Sequence, residues 1–527
     1  MLSKSARFLI IILLVLGLFF RFGNLDQKLY WVDECFTSLR IAGYTIPDLK
    51  REVFNGKIIS NEDIQKFQNI NSEHGLFDTL KGLAVEEPQI TPIYFILARF
   101  WAQLFGSSVT VMRSLPALIS LFIFPAIYWL CIELFESFVV GWLAIALVAI
   151  SPVHLFYAQQ ARPYSLWAVM ILLSSAALLR AMRIKTKLNW AIYGATTLLA
   201  LYSHLLSGLV IIAHILYIVI IERFRLTKTL IAYLGFIYTS IFIFFAPWIL
   251  LIINNRTSVS DRTDWINSSL PRSALIGSWR SILSNIFINW NDKYETLFLI
   301  SHNIFRIIFI IPIVILVLYS FYFICLHSSM RVWLFILILM TVTISALVIP
   351  DLVFGGKRSS IDRYHFPSIL CIELTVAYLL TNKVKFQIYS SQQTKIWQFF
   401  TVILISVGVL SCSISSQTET WGGKDNPIIQ ESRIINQTNY PLVISDKGMR
   451  DVIPLSHQLN PKVKFLLIQQ PSNLTEINDN FSDGFSDVFL FHPAKEFLLK
   501  LQDKLNVNFQ PVYQQYPEKM LWRLEKG

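Results

Sequence analysis

Long apolar runs alternate with polar stretches along most of this chain. The runs cover residues 8–20, 115–132, 138–156, 164–179, 190–202, 205–221, 230–253, 304–326, 332–350, 366–380 and 396–411. A helix needs about 17–25 residues to cross the hydrocarbon core of a bilayer, and flanking aromatic side chains extend shorter runs. The pattern therefore predicts about 11 spanning helices.

A further apolar segment, 91–105, is predicted not to cross the membrane. Arg99 lies at its middle, and an arginine at the bilayer centre costs several kcal/mol. Basic clusters at 180–187, 222–228 and 383–395 belong in the cytoplasm by the positive-inside rule, and another span would place them outside. We therefore predict an interfacial helix on the outer face, a cytoplasmic N-terminus and an extracytoplasmic C-terminus.

The residues after the last run, 416–527, have a different pattern. The stretches PLVISD, VKFLLIQ and DVFLFH are typical of short buried strands, and the segments 448–459 and 493–505 between them have helical spacing. This alternation predicts a small soluble α/β domain. The chain is thus expected to consist of a transmembrane domain, 1–415, with a first external loop at 22–110, and an extracytoplasmic domain, 416–527.

Composition agrees with membrane embedding. The chain has 527 residues, of which 54% are hydrophobic and 15% charged, and its mean hydropathy is +0.53. Soluble domains average about 25% charged residues. The net charge of +11 does not indicate nucleic acid, because the position of each charge matters more than the sum in a membrane protein.

The stretch YWVDECFTSLR, 30–40, follows the first apolar run and holds an acidic pair. As a helix it places Trp31 and Cys35 on an apolar stripe, while Asp33 and Glu34 point about 100° apart and cannot both aim at one atom. One interpretation is an amphipathic helix with a solvated acidic face. The other is a carboxylate at the lipid surface that acts as general base on a hydroxyl, with its pKa raised by apolar surroundings.

A second acidic pair, Glu86 and Glu87, precedes two prolines and Tyr94 at the start of the interfacial helix. The prolines are sufficient to position the start of that helix. The functional alternative is that these carboxylates orient an acceptor or hold a divalent cation such as Mg²⁺ or Mn²⁺.

Basic residues lie at several predicted outer membrane boundaries. Arg162, in the stretch FYAQQARPYSLW, fits either an interfacial anchor with an aromatic belt or bidentate capture of a lipid phosphate. Lys357, Arg358 and Arg363 lie in another outer loop, against the positive-inside trend, which favours an external anionic ligand. His204 is isolated at a helix end, where it fits a polar cap or a hydrogen bond to a sugar or a phosphate.

In their order along the chain these motifs resemble the membrane glycosyltransferases of the GT-C type. The nearest branch is the dolichyl-phosphate-mannose-protein mannosyltransferase-like group (glycosyltransferase family 39), with the bacterial aminoarabinose transferases of lipid A. The resemblance covers roughly residues 5–380 and rests on five motifs: Trp31–Glu34, Pro88–Tyr94, Gln159–Tyr164, Tyr202–His204 and Arg363–Tyr364. The histidine that often precedes the second motif in the family is absent here, where Thr91 precedes Pro92.

The resemblance implies a GT-C-like helical fold and sugar transfer from a polyprenyl phosphate donor to a lipid, glycan or protein acceptor on the extracytoplasmic face. It implies that Asp33, with Glu34 beside it, is the general base, and that the donor phosphate is held by Arg162, Lys357, Arg358 and Arg363. The implied substrate contacts are Glu86, Glu87, Tyr94, Gln159, Tyr164, His204 and Tyr364. It favours a multi-pass protein of a bacterial plasma membrane, with no nucleic-acid partner.

Two alternative functions share this topology. A transporter or flippase for lipid-linked glycans would place ionisable residues near mid-membrane, whereas the interiors of the apolar runs are nearly free of charge and no internal repeat is evident. This favours chemistry at the membrane surface over passage through it. A glycan polymerase or ligase with a polyprenyl diphosphate donor differs mainly in the donor and stays open.

Overall fold

The computed structural model describes residues 4–289, 302–384, 392–420, 426–468, 484–505, 507–516 and 519–525. They form two compact units. The membrane unit comprises Met1–Leu25, Leu83–Tyr94 and Arg113–Thr418, and the mixed unit comprises Asp26–Gly82, Phe95–Met112 and Glu419–Gly527.

Most of the described chain is helical. The helices are α1 (Lys4–Phe22), α2 (Val32–Ala42), α3 (Ile46–Val53), α4 (Asn61–Gln65), α5 (Leu76–Glu86), α6 (Ile93–Phe105), α7 (Val109–Ser120), α8 (Ile123–Phe135), α9 (Phe138–Ala149), α10 (Pro152–Ala158), α11 (Tyr164–Ile184), α12 (Lys187–Ser203), α13 (Ser207–Ile221), α14 (Lys228–Asn254), α15 (Arg256–Thr263), α16 (Arg272–Asn285), α17 (His302–His327), α18 (Met330–Val353), α19 (Phe366–Lys383), α20 (Gln392–Ser416), α21 (Pro427–Asn436), α22 (Met449–Ser456) and α23 (Lys495–Leu505). The strands are β1 (Asn55–Ser60), β2 (Pro441–Ser445), β3 (Lys464–Ile468), β4 (Asp487–Phe491), β5 (Phe509–Tyr516) and β6 (Lys519–Leu524).

Every one of the predicted apolar runs is mostly helical, but fewer than 11 of the described helices reach the length of a clear span. Among the described residues, eight helices are long and apolar enough to cross a membrane, and nine if the bent pair α9–α10 counts as one span. The other two runs form α12 and α13, which have 17 and 15 residues. These two helices are at or just below the ~17–25 residues of a span, so the described part of the chain gives eight or nine clear candidates beside the about 11 predicted.

The bend between α9 and α10, 63° in size, is stabilised by Arg21 of α1. Pro152 has no N–H to give to the carbonyl oxygen of Val148, four residues earlier. Arg21 Nη2 donates to that oxygen at 3.0 Å, and Nη1 donates to Ala149 O at 2.8 Å. Close approach of the two helices requires Gly17, where an added Cβ would lie 2.6 Å from Ala149 O.

A few ionisable side chains of the membrane unit are nevertheless buried inside the protein. Arg21, His154 and Glu373 are all buried within helices of the membrane unit. His154 and Glu373 each stand alone in an apolar run, and Arg21 follows the first run, so no local motif singled them out.

The mixed unit is built on a six-stranded sheet with the order β1-β3-β2-β4-β6-β5. Strands β3, β2 and β4 are parallel, as expected for alternating strands and helices, while β1 and β6 join them antiparallel. The predicted strands and helices of the tail are all present. The sheet also takes strand β1 from the first external loop, so residues outside 416–527 complete it. Its core contains Leu442, Ile444, Leu466, Leu490, Phe497 and Leu501.

Candidate active site

The loop between α10 and α11 carries Arg162 in the membrane unit. Gln159 begins this loop, and its side-chain amide donates to Phe20 O at 2.8 Å and Gly23 O at 2.9 Å, which satisfies carbonyls at the end of α1. The loop then turns tightly, because the Arg162 N–H bonds to Gln160 O at 2.7 Å. Gln159 thus anchors the loop to α1, while its predicted substrate contact stays a prediction.

Arg162 and Arg363 converge on the ring of Tyr164, the first residue of α11. The guanidinium carbons lie 5.9 Å and 5.7 Å from the ring centroid, and Arg363 lies 5.7 Å from the ring of Tyr364 as well. Arg363 belongs to a short 3₁₀ turn immediately before α19. Two segments about 200 residues apart in the chain thus place positive charges beside one aromatic ring, at distances typical of cation–π interaction.

His204 lies beside these two arginines, in the turn between α12 and α13. Its ring stacks on Trp167 with centroids 4.2 Å apart, and it lies 6.1 Å from Tyr164 and 6.3 Å from Tyr364. Burial and then the charges of Arg363 and Arg162 lower the pKa of His204 to about 3. The imidazole is therefore neutral near pH 7.

The hydrogen bonding of His204 fixes which ring nitrogen carries the proton. The backbone N–H of Leu206 donates to Nδ1 at 3.2 Å, so Nδ1 is the acceptor of the neutral ring. The proton is consequently on Nε2, which is a hydrogen-bond donor. Together the two guanidinium groups and this N–H make a cluster of donors suited to an anion, which we call the arginine cluster (Arg162, Tyr164, His204, Arg363, Tyr364).

The other two predicted phosphate ligands have partners within the protein. Arg358 Nη1 lies 3.1 Å from Oδ1 of the buried Asp351, and its Nη2 bonds to Asn267. Lys357 Nζ lies 5.1 Å from the centroid of the Trp265 ring. The charge of Arg358 is therefore largely matched by Asp351.

The second acidic pair and Tyr94 lie in the segment that leads from α5 into α6. Glu86 is the last residue of α5, Glu87 is half-buried, and Tyr94 is fully buried in the first turn of α6. The indole N–H of Trp248, on α14, donates to Pro88 O at 2.9 Å and fixes the backbone of this segment. The predicted substrate contacts of Glu86, Glu87 and Tyr94 stay predictions.

Asp33 and Glu34 lie in the first turn of α2, in the mixed unit. The predicted helix is present and begins one residue before Asp33, which is half-buried. Glu34 is fully buried, and its Oε2 accepts the backbone N–H of Trp31 at 3.4 Å, so this carboxylate caps the helix. Asp33 is thus the more accessible carboxylate of the pair.

The C-terminal end of α2 is shaped by Gly43 and held by Arg99. In the sequence, Arg99 served only as evidence against a membrane span. Gly43 ends the helix with φ +91°, and a Cβ there would lie 2.5 Å from the Cβ of His74. Arg99, on α6, is buried and donates to Ile41 O, to His74 O and to Thr79 Oγ1. This arginine therefore fixes the C-terminal end of the helix that carries Asp33.

The opposite end of α11 carries a separate ionic group. Arg183 Nη2 lies 2.8 Å and Arg180 Nη1 3.3 Å from the carboxylate of the buried Glu133. With 21 residues, α11 is about 30 Å long, a membrane's hydrocarbon thickness. The arginine cluster is thus at one end of a span, and the basic segment 180–187 that the sequence assigns to the cytoplasm is at the other.

A metal-binding site is not evident in the part of the chain that the structure describes. No group of three or more His, Cys, Asp or Glu side chains there is placed to hold a metal ion. The divalent cation that Glu86 and Glu87 were considered to hold stays a prediction.

Comparisons with known proteins establish the fold. No protein-family model and no curated protein matches the sequence. Among solved structures, ArnT from Cupriavidus metallidurans in the apo state matches with a TM-score of 0.53 and 10% identity, over 99% of this chain and 98% of that one. The same protein bound to undecaprenyl phosphate gives a TM-score of 0.52 and 11% identity, over 99% of this chain and 98% of that one.

This chain is accordingly a polytopic helical membrane protein with the fold of ArnT, and the predicted GT-C-like fold class is confirmed. The archaeal oligosaccharyltransferase AglB from Archaeoglobus fulgidus also aligns, at 12% identity over 93% of this chain and 70% of that one. Its TM-score of 0.47 is too low to add to the comparison.

Proposed function

We propose that this protein is a membrane glycosyltransferase that moves a sugar from a polyprenyl phosphate donor to a lipid, glycan or protein acceptor. The observation that carries the proposal is the approach of Arg162 and Arg363 to the same ring at one end of α11. Two guanidinium groups beside the same ring favour binding of an anion, and guanidinium forks match phosphate oxygens. A phosphate with a lipid tail can reach a site at the end of a membrane span.

The arginine cluster fits the leaving group of such a reaction. When the acceptor oxygen attacks the anomeric carbon, the bond from that carbon to the phosphate oxygen breaks and its electron pair stays on the lipid phosphate. Arg162, Arg363 and the Nε2–H of His204 would meet this developing charge with preorganised donors. Because the pKa of His204 is lowered to about 3, the ring is neutral near pH 7 and would contribute a hydrogen bond rather than a full positive charge.

Asp33 is proposed as the general base that takes the proton of the acceptor hydroxyl. It is the half-buried member of the acidic pair, whereas Glu34 is occupied as a helix cap. We assign Lys357 and Arg358 a secondary role in phosphate binding, because Arg358 is paired with Asp351. The other proposed substrate contacts are Glu86, Glu87, Tyr94, Gln159, Tyr164 and Tyr364.

The structural likeness supports this choice of donor. ArnT from Cupriavidus metallidurans has been observed bound to undecaprenyl phosphate, and this chain has the same fold along nearly its whole length. The proposal includes an outward-facing arginine cluster, a cytoplasmic N-terminus and residence in a bacterial plasma membrane.

The test is a binding comparison between two lipids that differ only in the phosphate. Purified protein in detergent or nanodiscs is titrated with undecaprenyl phosphate and with undecaprenol. We expect the wild type to bind the phosphate at least tenfold more tightly, and the double variant R162A/R363A to lose this preference. R180A is the matched control, because it removes an arginine at the opposite end of α11. Equal affinity of the wild type for both lipids would refute the proposal.

A further inference from the structure

Three ionisable side chains buried among the membrane helices take no part in the proposed reaction. His154, on α10, and Glu373, on α19, are joined by a contact of 2.9 Å between Nε2 and Oε2, and both side chains are 1% exposed. Arg21, on α1, is close enough to Glu373 to interact with it electrostatically. Ionisable side chains buried among membrane helices are costly and are therefore candidates for a functional role.

Stability alone does not account for this group. Among the described residues, His154 Nδ1, Glu373 Oε1 and Arg21 Nε have no hydrogen-bond partner. A buried polar network that is only partly satisfied costs more than an apolar core of the same volume. The pair must therefore do something that two packed apolar side chains would not do, and its position indicates what that is.

The two partners lie on the segments that supply the two arginines. His154 is eight residues before Arg162, one helical turn before Tyr157, and Glu373 is ten residues after Arg363. Ring contacts connect the pair to the arginine cluster: His154 lies 5.8 Å from Phe366, Phe366 lies 5.1 Å from Tyr157, and Tyr157 lies 5.1 Å from Tyr164.

We infer that the His154–Glu373 bond is a positioning clamp that fixes α10 against α19 and so holds Arg162 and Arg363 in place beside Tyr164, where both would contact one phosphate group. A directional hydrogen bond fixes the rotation and height of two helices, whereas apolar contacts permit them to slide. His154 and Glu373 are positioning residues that do not touch the substrate. The inference rests on the proposed function, since it concerns the same phosphate site.

The test removes both partners together, because one alone would leave a buried charge or imidazole without its partner. The double variant H154F/E373M replaces the pair with apolar side chains of similar size. We expect it to remain folded and inserted and to bind undecaprenyl phosphate about fivefold to tenfold more weakly, with undecaprenol binding unchanged. E373Q, which keeps a hydrogen bond to His154, should bind within about twofold of the wild type.

H214F is the matched control. His214 is also a buried histidine in a membrane helix, but it bonds to Ser175 and Tyr193 on α11 and α12. Its replacement should leave the affinity for undecaprenyl phosphate unchanged, even if the melting temperature falls.

The binding results distinguish a failure of the His154–Glu373 clamp from a failure of the proposed function. If the wild type prefers undecaprenyl phosphate and H154F/E373M binds it equally well, the clamp is refuted and the proposed function stands. A matching loss in H214F would also refute the clamp, because any buried change would then weaken binding. If the wild type shows no preference for undecaprenyl phosphate over undecaprenol, the clamp and the proposed function are both refuted.

Discussion

Trp167 and His204 stack face to face, with ring centroids 4.2 Å apart and ring planes 16° apart. The indole N–H of Trp167 donates to Ser207 Oγ at 2.9 Å, which fixes the ring under His204. Together with the bond from Leu206 N–H to Nδ1, this stack leaves the imidazole little freedom to rotate. Its Nε2–H is thus a preorganised donor beside two arginines.

The first prediction concerns pH. An ordinary histidine, with a pKa near 6.5, would gain a proton as the pH falls from 8 to 5 and bind phosphate more tightly. His204 has a pKa of about 3 and stays neutral over this range. We therefore expect the ratio of the H204Q and wild-type dissociation constants for undecaprenyl phosphate to be constant between pH 8 and 5. Taking the ratio cancels titration of the lipid itself. A ratio that rises toward pH 5 would show that His204 is protonated there.

The second prediction concerns Tyr164, whose ring faces both arginines. A cation–π contact contributes about 0.5–2 kcal/mol, so Tyr164→Leu should weaken binding of undecaprenyl phosphate by about threefold to thirtyfold. Tyr164→Phe keeps the ring face and should bind nearly as the wild type does. Equal weakening in both variants would instead assign the effect to the hydroxyl group.

The third prediction separates proton transfer from donor binding. Asp33→Asn keeps the size of the side chain but removes the base, so turnover should fall by about 100-fold or more while binding of undecaprenyl phosphate is unchanged. Turnover is measured as polyprenyl phosphate released from a polyprenyl-phosphate-linked sugar in a lipid extract of the host. Glu34→Gln is the control: it weakens a helix cap and should lower the melting temperature more than turnover. Full turnover in Asp33→Asn would remove Asp33 from the mechanism.

Much of the fold follows from local pattern. An apolar run of membrane length has to be helical because lipid offers no partner for backbone groups, and every predicted run is mostly helical. Strands β2, β3 and β4 were predicted because both of their faces are buried. Strand β1 was missed because NGKIIS becomes an edge strand only through pairing with β3, about 400 residues later. β5, FQPVYQQY, was missed because Pro511 and three glutamines interrupt its apolar pattern.

The candidate site residues could be identified from the sequence because their motifs follow one another in a recognisable order. Arg162, His204 and Arg363 were identified as candidates from the sequence, and the structure brings them to one aromatic cluster. The hydrogen-bond and ion-pair partners of the candidate residues could not be predicted. That Gln159 bonds to the end of α1 and Arg358 to Asp351 depends on packing between segments, and no local signal in the sequence encodes it.

The last prediction concerns Arg99, whose three acceptors lie around the C-terminal end of α2. Arg99→Leu would leave the carbonyls of Ile41 and His74 and the hydroxyl of Thr79 without this donor inside the protein. Leaving buried polar groups unsatisfied costs about 1–3 kcal/mol each. Because the loss is local, we expect amides of α2 to exchange hydrogen at least tenfold faster, while β2 amides are unchanged. Arg99→Lys should be intermediate, since an ammonium lacks the fork that serves several acceptors.

Arg51→Ala is the control for Arg99, because the Arg51 side chain is 74% exposed and its pair with Asp48 is of the surface kind that contributes little. Its α2 amides should exchange as in the wild type. If Arg99→Leu also left exchange in α2 unchanged, the helix would be held by its apolar contacts alone. Asp33 would then keep its position without Arg99, and turnover of that variant should equal the wild-type value. Measuring exchange and turnover on the same preparations therefore decides whether Arg99 acts through the position of α2.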